Sequence, residues 1–380
     1  MISLCIGLLI LLSTMSILTY IIKFSKPLPD IIITNIHKKY SGVTSTIINL
    51  YPEQQKTMNI GLLGNSININ EHNVALIDLI YYGYQLPQGK KFRLFHVRRN
   101  NELFWAILFR DLFKLPIKII FTSVKITKFS FIPTLLIKNV DYIIVTLDKC
   151  ITKLPSREKI IKISPHGINL SYFKPSTSIV YSLDFYNLKN KFVISTFGRV
   201  RKQKGTDIFV KSLIKIMHKY PNVIGLIVGE TDLKNIFFKN TLTDLIHKNG
   251  LTNRFIFTGY ISYINDPVKH SYIYKSTNLC ICVPRSEEFG LTPVEAMACG
   301  IPSICSDTGA FYTMIDEGKT GNLIPLGNVN ELSKHIEYYI NNPDKLVKMK
   351  QYCIDKVNNN FTIGGEASRI NNVYNEVFNT

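Results

Sequence analysis

KFVISTFGRVRKQKGTDIFVKSLIKIMHKYPNVIGLIVG, residues 191–229, is the stretch that decides the fold. Its first run of β-branched and aromatic residues predicts a buried strand, and a basic loop bounded by glycines follows. The next segment, TDIFVKSLIKIMHKY, has the spacing of an amphipathic helix, and NVIGLIVG predicts a second strand. Strand, loop, helix and strand in this order form a βαβ unit, whose strands lie parallel in one sheet.

The same alternation extends in both directions along the chain. RFIFTGYI, LCICVP and PSICSD predict further strands downstream, and DIIITNI, KFRLFHV, PIKIIFTS and VDYIIVTL predict strands upstream. The loop-like stretch ISPHGINLSYFKP, residues 163–175, separates the two arrays. A chain of 380 residues suits two such domains. We therefore predict an α/β protein with two Rossmann-like, doubly wound domains facing a central cleft.

The charge balance bears on the partners of this chain. Lys and Arg number 45 against 27 Asp and Glu, a formal net charge of +18, which favours anionic partners. The basic residues are scattered, without an arginine-rich tail or a nucleic-acid motif, so we expect no nucleic-acid partner. The alternative is a compositional bias, because Ile, Asn and Lys are abundant throughout.

The seven cysteines have no regular spacing and form no CxxC pair, which argues against a disulfide framework. We interpret them as reduced core residues of a cytosolic protein. Cys280 and Cys282 alternate along an apolar run, so they are predicted to share one face of a strand.

The first 22 residues, MISLCIGLLILLSTMSILTYII, carry no charge, and Lys23 and Lys26 follow at once. A helix of this length can span a bilayer, and the basic flank favours a body on the cytoplasmic side. A cleaved signal peptide fits less well because a basic n-region and a small-residue cleavage site are missing. We predict a membrane anchor with the body of the protein in the cytoplasm; a monotopic hairpin or an extension without a role are the alternatives.

The motif GRVRKQKG, residues 198–205, lies between a predicted strand and a predicted helix. Gly198 and Gly205 allow tight turns and close approach of a ligand, and Arg199 can contact phosphate oxygens in a bidentate manner. Lys204 adds a compact charge, and the helix from Thr206 adds backbone N–H groups. The pattern is typical of a diphosphate site, with a solvated basic turn as the alternative.

The motif RSEEFGLTPVEAMACGIP, residues 285–302, holds two glutamates eight positions apart. Pro293 suits the first turn of a helix, which places Glu295 in that turn and Glu287 in the loop before it. A carboxylate accepts hydrogen bonds from the hydroxyls of ribose or of a sugar. A structural capping arrangement is the alternative, which the presence of both motifs in one chain disfavours.

The two motifs together resemble those of glycosyltransferase family 4, with its Glu-x7-Glu signature. HKKYSGVTST, HVRRN, RDLFKLPIKIIFTS, GRVRKQKGTDIFV and EEFGLTPVEAMA resemble, more narrowly, bacterial lipopolysaccharide-core mannosyltransferases, over about residues 31–380. The resemblance implies a GT-B fold and transfer of mannose from GDP-mannose, with retention of configuration, to an inner-core Kdo sugar. The implied partners are the nucleotide-sugar, a lipid-linked saccharide acceptor and an anionic inner-membrane surface.

The resemblance also implies residue roles. The residues at the reacting centre would be Arg199, Lys204 and Glu287. The two cationic side chains would contact the diphosphate, and the Glu287 carboxylate would contact sugar hydroxyls. The donor-binding set would be Gly42, Gly198, Phe289, Gly290, Leu291, Thr292 and Glu295, with Glu295 on the ribose. Two departures stand out: Glu288 occupies a position where the family usually has glycine, and FTSVKITK is not followed by the family's usual histidine.

The sequence His96-Val97-Arg98-Arg99 ends a predicted strand, at the edge where α/β sheets bind ligands. Paired arginines suit the carboxylate of a Kdo acceptor, so His96, Arg98 and Arg99 are the predicted acceptor-binding residues. A solvated strand end is the alternative. No Asp-x-Asp sequence and no His/Asp cluster with metal-ligand spacing occurs, so we expect metal-independent transfer without a cofactor.

We expect a hydrophobic N-terminal segment (1–25), an acceptor-side domain (26–172), a nucleotide-sugar-binding domain (173–363) and a C-terminal helix that packs back on the first domain (364–380). Three other functions stay open at this point. The first is a family 4 transferase that uses a UDP-sugar, the second a different enzyme on this scaffold such as an epimerase, and the third an inactive membrane-associated scaffold.

Overall fold

The computed structural model describes residues 28–37, 42–64, 73–175, 188–261 and 267–380. The predicted anchor, residues 1–22, lies outside the described residues. Within the described ranges, no helix combines the length and apolar character needed to cross a bilayer.

The first sheet is parallel throughout and has the strand order β3-β2-β1-β4-β5-β6-β7. Its strands are β1 (Ile31–Thr34), β2 (Ile60–Leu63), β3 (Asn73–Val74), β4 (Arg93–Val97), β5 (Ile117–Ser123), β6 (Tyr142–Val145) and β7 (Ile160–Ile163). The helices between them are α1 (Gly42–Gln55), α2 (Leu76–Tyr82), α3 (Asn100–Asp111), α4 (Phe131–Lys138) and α5 (Asp148–Ile151).

The second sheet is also parallel, with the order β10-β9-β8-β11-β12-β13. Its strands are β8 (Phe192–Phe197), β9 (Val223–Val228), β10 (Phe255–Gly259), β11 (Leu279–Cys282), β12 (Ser303–Ser306) and β13 (Gly321–Ile324). The accompanying helices are α6 (Thr206–Met217), α7 (Ile236–Lys248), α8 (Pro267–Lys275), α9 (Thr292–Ala298), α10 (Phe311–Met314), α11 (Val329–Asn341), α12 (Pro343–Asn360) and α13 (Ile363–Phe378).

The two doubly wound sheets confirm the predicted fold class. Each apolar run that predicted a strand forms one, because helices cover both faces of each sheet and leave its central strands fully buried. The six described cysteines are free and buried, and the Sγ atoms of Cys280 and Cys282 lie 3.8 Å apart on one face of β11. The predicted placement of the cysteines in the core is therefore confirmed for these residues.

The chain crosses between the two sheets twice, and the two crossings touch. Ile168 N–H donates to Phe361 O at 2.8 Å, and Ile363 N–H donates to Ile168 O at 3.0 Å. After the second crossing, α13 packs against α1, and its Tyr374 and Val377 are buried with the first sheet. The last helix thus contributes to the core of the first domain.

Gly205 joins the loop of residues 198–205 to the second sheet. Its φ is +75°, and a Cβ at this position would lie 1.9 Å from Val283 O. We expect Gly205→Ala to lower the free energy of unfolding by about 2–5 kcal/mol, because positive φ and steric overlap add. Gly250 is the matched control, with φ +68° and no atom within 4 Å of an added Cβ. Gly250→Ala should cost only about 1–2 kcal/mol. Urea unfolding of both variants tests this, and equal losses would contradict it.

Candidate active site

The carboxyl ends of the two sheets face each other across a cavity of about 410 Å³. One wall comes from the first domain, at the start of α1, the end of β5 and the crossing segment. The other wall comes from the loop before α6 and the loop that leads into α9. The lining residues are Gly42, Val43, Ser45, Thr46, Val124, His166, Lys204, Glu287, Glu288, Phe289, Gly290, Leu291, Thr292 and Glu295.

Lys204 and Glu287 form an ion pair at the cavity wall. The Lys204 ammonium donates to Glu287 Oε2, and both side chains are mostly buried. Gly198 lies alongside, since a Cβ added to it would contact the Lys204 side chain at 3.6 Å. The structure therefore brings together the two motifs that the sequence analysis singled out separately.

A second ion pair holds the two loops together, and sequence reasoning missed it. Arg285 NH1 and NH2 donate to Asp207 Oδ1 and Oδ2, each at 2.7 Å, and Arg285 NH1 also donates to Lys202 O. Burial alone would raise the pKa of Asp207, but the hydrogen bonds and charge of Arg285 hold this pKa below its ordinary value. Arg285 is the first residue of the second motif and Asp207 lies two positions after the first motif, and that proximity was the available signal.

Backbone contacts reinforce this connection. Arg285 N–H donates to Gln203 O at 2.8 Å, and Gln203 Nε2 donates to Ser286 O at 3.0 Å. Gln203 and Lys204 belong to the short 3₁₀ turn Lys202–Lys204, which ends at Gly205. The position of the Lys204 ammonium relative to Glu287 is consequently set by several contacts.

Glu295 lies in the first turn of α9, with Pro293 at the helix start as predicted. Tyr274 OH donates to Glu295 Oε2 at 2.6 Å, and the Tyr274 ring stacks on Phe197 at 3.7 Å between centroids. Burial raises the pKa of Glu295 to about 7, and the bond from Tyr274 only partly offsets this rise. Glu295 is thus a carboxyl group that titrates near neutrality.

The segment between the two glutamates is closely packed. Phe289 is buried, and Gly290 has φ +74° with Phe311 Cε1 at 2.8 Å from an added Cβ. A Cβ on Gly309 would lie 2.5 Å from Glu287 O, so this glycine lets the backbones approach. The turn that presents Glu287 has little freedom to move.

His166 lines the cavity from the crossing segment. Its Nδ1–H donates to Glu366 Oε1 at 2.8 Å, and Gly167 N–H donates to Glu366 Oε2 at 2.7 Å. Its ring also meets the edge of Phe289, 4.9 Å between centroids. Burial alone would raise the pKa of Glu366, but the charge and hydrogen bond of His166 hold this pKa below its ordinary value.

The donor-binding residues predicted from the resemblance are placed as follows. Gly42, Phe289, Gly290, Leu291, Thr292 and Glu295 all line the cavity. Gly198 has φ +128° and its N–H donates to Val228 O at 2.9 Å. Arg199 is exposed and is not among the residues that line the cavity.

The predicted acceptor-binding residues lie behind the cavity wall rather than on it. His96 is fully buried, with Nδ1 at 2.5 Å from Tyr374 OH and Nε2 at 2.6 Å from Thr122 Oγ1. Both ring nitrogens are engaged, so the structure gives His96 a packing role between β4 and α13 instead of the expected acceptor contact.

Arg98 and Arg99 have different hydrogen-bond partners. Arg99 donates from NH1 to Asn35 and Glu102 and from NH2 to Thr44, each at 2.8 Å. Arg98 NH1 donates to Thr46 Oγ1 at 3.2 Å, and Thr46 lines the cavity. Arg98 Nε and NH2 are buried without a hydrogen-bond partner among the described residues. Arg98 is therefore the predicted acceptor residue that donates to a cavity-lining side chain.

Glu288, the departure from the family pattern, also reaches the cavity. Burial raises the pKa of its carboxyl, while the charge of Lys125 on the facing domain lowers it and that of Glu287 raises it further. Across the described residues, no group of three or more His, Cys, Asp or Glu is arranged to hold a metal ion. Metal-independent transfer stays a prediction.

Comparison with known proteins shows that this chain is similar in sequence to glycosyltransferases. The family model for glycosyl transferases group 1 matches residues 184–356. The lipopolysaccharide core biosynthesis mannosyltransferase LpcC of Rhizobium leguminosarum bv. viciae is 31% identical over 349 residues, which are 92% of this chain and 96% of LpcC. LpsB of Rhizobium meliloti, of the same description, is 32% identical over 351 residues, 91% of this chain and 97% of LpsB.

Solved structures share the fold. The HepE protein of Anabaena in complex with UDP superposes with a TM-score of 0.79 at 17% identity, over 91% of this chain and 100% of HepE. A glycosyltransferase from Rickettsia africae gives a TM-score of 0.77 at 17% identity, over 93% and 99% of the two chains. At 17% sequence identity, the structural similarity shows a shared fold and nothing further.

Proposed function

Because the chain belongs to the group 1 glycosyltransferases and has their GT-B fold, we propose that it transfers mannose from GDP-mannose to an inner-core Kdo sugar during lipopolysaccharide core synthesis. Two relatives described as lipopolysaccharide core mannosyltransferases match it over nearly their whole lengths, which supports this choice. The observation that carries the chemistry is the convergence of Lys204, Glu287 and Glu295 in one cavity between the domains.

The donor would bind along the second-domain wall. Lys204 has three N–H donors and uses one on Glu287, so the others are available for diphosphate oxygens. Arg199, on the same loop, would reach the diphosphate from its exposed position. Glu287 would accept hydrogen bonds from sugar hydroxyls and Glu295 from the ribose.

The reaction would be a substitution at the anomeric carbon. The bond from this carbon to the phosphate oxygen breaks, and a bond to the acceptor hydroxyl oxygen forms on the same face. The hydroxyl proton passes to the leaving phosphate, and the configuration is retained. Lys204 and Arg199 would stabilise the negative charge that develops on the leaving group, the role that a metal ion fills in other enzymes.

The acceptor would approach from the first domain. Kdo bears a carboxylate, and the Arg98 guanidinium, buried one hydrogen bond behind Thr46, supplies positive charge on that side. His166 faces the same space with its orientation set by Glu366. The acceptor is lipid-linked in this proposal, so the enzyme would work at the cytoplasmic face of the inner membrane.

Donor affinity is expected to rise with pH because of Glu295. Its pKa of about 7 leaves the carboxyl largely protonated below neutrality, and the carboxylate is the better acceptor for ribose hydroxyls. Affinity should therefore fall by up to about tenfold per pH unit below pH 7. Folding stability should change in the opposite sense, because a carboxyl whose pKa is raised from 4.5 to about 7 contributes its full stabilisation below about pH 4.5 and loses it as the pH rises to about 7.

Calorimetric titration with GDP-mannose between about pH 6 and pH 8 measures this dependence, since its diester phosphates do not titrate there. Glu295→Gln is the matched variant and should show weaker and pH-independent affinity. Equal pH slopes for both proteins would contradict the assignment of Glu295 to the ribose.

The direct test of the function is transfer by the full chain in detergent, with GDP-mannose and a panel of UDP-sugars, onto a Kdo-terminated lipid A acceptor. Mannose transfer from GDP-mannose alone is the expected result. Transfer from a UDP-sugar would keep the enzyme class and overturn the mannosyl assignment. Donor binding without transfer from any donor would favour an inactive scaffold.

A further inference from the structure

The exposed apolar side chains of this protein concentrate in one region. Of the 21 large hydrophobic residues that are exposed in the described ranges, twelve lie between Leu76 and Leu135. Phe131 is 82% exposed and Ile132 68%, values that are unusual for side chains of this size. We call their shared surface the apolar face and define it by Ile77, Ile80, Phe104, Trp105, Phe131 and Ile132.

These residues form one surface because their helices lie on the same side of the first sheet. Leu79 of α2, Leu103 of α3 and Ile137 of α4 are buried in one core cluster, whereas α1 and α13 pack in another. Tyr84 follows α2 and Phe113 follows α3. The Tyr84 hydroxyl donates a hydrogen bond to Phe113 O, which connects the ends of these two helices. Contiguous exposed apolar surface of this kind marks a site of protein or membrane contact.

The charges of this layer favour an anionic partner. Lys114, Lys128 and Lys138 are exposed in the turns and helix ends of this layer. The acids between Leu76 and Lys138 are each already engaged: Asp78 accepts from Ala75 N–H, Glu102 pairs with Arg99, and Asp111 pairs with Arg110. Apolar and aromatic side chains together with exposed lysines are the combination that binds anionic bilayers.

The apolar face also adjoins the place where the chain enters the fold. Arg93 Nε donates to Pro29 O at 2.6 Å and Arg93 NH1 to Gly83 O at 3.3 Å, which joins the entering chain to the end of α2. In the sequence, six residues, two of them lysines, separate the uncharged segment of residues 1–22 from Pro29. A bilayer contacted by that segment would lie close to the apolar face.

A short stretch of chain connects the apolar face to the cavity. Val124, at the end of β5, lines the cavity, and the chain then runs directly to Phe131 and Ile132 at the start of α4. Along this segment, Lys125 Nζ lies 4.9 Å from the Phe129 ring centroid. A bilayer at the apolar face would place a lipid-linked sugar near the cavity mouth.

We propose that the apolar face docks on an anionic phospholipid bilayer, with the aromatic and aliphatic side chains of α2, α3 and α4 in the headgroup region and the lysines on anionic headgroups. The link to catalysis, presentation of a membrane-embedded acceptor to the cavity, rests on the proposed function. The docking itself does not.

Trp105 is the only tryptophan of the chain, so its fluorescence reports on the apolar face directly. On adding vesicles of equal parts phosphatidylglycerol and phosphatidylcholine to the full chain, the emission of Trp105 shifts to shorter wavelength. Lipids brominated in their acyl chains quench it. Vesicles of phosphatidylcholine alone produce a much smaller change.

Paired substitutions test the surface. Phe131→Ser with Ile132→Ser lowers the Trp105 response to anionic vesicles by about tenfold or more, because two largely exposed apolar side chains lose their burial in lipid. Leu233→Ser with Phe237→Ser is the matched control, since these residues are 87% and 84% exposed in the second domain. This control pair leaves the response unchanged.

Three results would overturn the proposal. Vesicle binding without a change in Trp105 emission would assign membrane contact to residues 1–22 alone. Short-wavelength emission without vesicles would mean that the face is already covered, by a second copy if it depends on protein concentration and by the chain itself if it does not. An equal effect of the control pair would remove the specificity of the surface.

Transfer assays separate this proposal from the proposed function. The Phe131/Ile132 variant keeps transfer to a soluble, delipidated core saccharide and loses transfer to the same sugar on vesicle-embedded lipid A. Absence of all transfer by the unmodified chain, together with an intact Trp105 response, would refute the proposed function and leave the docking surface in place.

Discussion

Lys204→Ala is expected to lower the rate of sugar transfer by about 10²–10³-fold, the loss seen when one preorganised donor to a developing negative charge is removed. The Lys204 ammonium is mostly buried at the cavity wall and is paired with Glu287. Its removal takes away the positive charge that would face the leaving phosphate and leaves the Glu287 carboxylate unpaired. Nucleotide affinity should fall as well.

Lys202→Ala is the matched control, because Lys202 belongs to the same 3₁₀ turn but has an exposed side chain. The contact that Lys202 makes to Arg285 uses its backbone carbonyl, which alanine retains. Steady-state kinetics should show a loss of activity for Lys204→Ala and not for Lys202→Ala. Thermal unfolding should show that both variants remain folded. Wild-type turnover by Lys204→Ala would remove this residue from the mechanism.

Glu287→Gln is expected to lower turnover by about 100-fold or more while nucleotide affinity holds or increases. The amide keeps the shape of the side chain but loses the charge that engages Lys204. The freed ammonium can then bind phosphate more strongly, whereas the contact to the sugar hydroxyls weakens. This opposite change in kcat and affinity distinguishes a role on the sugar from a merely structural one.

The Glu288→Gln variant tests which of the adjacent residues Glu287 and Glu288 acts as the first glutamate of the Glu-x7-Glu motif. Glu288 is the neighbouring residue, also reaches the cavity, and stands where the family usually has glycine. Its carboxyl has no ion-pair partner within contact distance among the described residues, so its amide variant should retain turnover within a few fold. A larger loss for Glu288→Gln than for Glu287→Gln would shift the assigned register of the motif by one residue.

Much of the fold could be predicted from local patterns. β8 and β9 were evident because their apolar runs are bounded by turn residues, and α6 was evident from its helical spacing. β2, β3, β7 and β13 were not predicted. β3 has two residues and the others four, and β2 and β13 each contain a glycine, so these runs carry little periodic signal. The helices α11 and α12 were also not singled out, although both are long.

The candidate site divides in a similar way. Lys204, Glu287 and Glu295 were found because glycines, charges and spacing mark their loops locally. Arg285 and Asp207 were missed because they are 78 positions apart, and neither position by itself indicates a salt bridge. The acceptor role of His96 was predicted from its place at a strand end close to Arg98 and Arg99, whereas its partners Thr122 and Tyr374 come from distant elements.

The sequence by itself determined the two parallel sheets, the donor-side motifs and the enzyme class that they resemble, because these depend on residues close together in the chain. Only the tertiary structure decided which charged groups meet. It paired Lys204 with Glu287, placed Glu366 of α13 behind His166, and brought α2, α3 and α4 side by side as an exposed apolar layer. Each of these outcomes depends on the packing of segments far apart in sequence, and the periodicity of one segment carries no information about its distant neighbours.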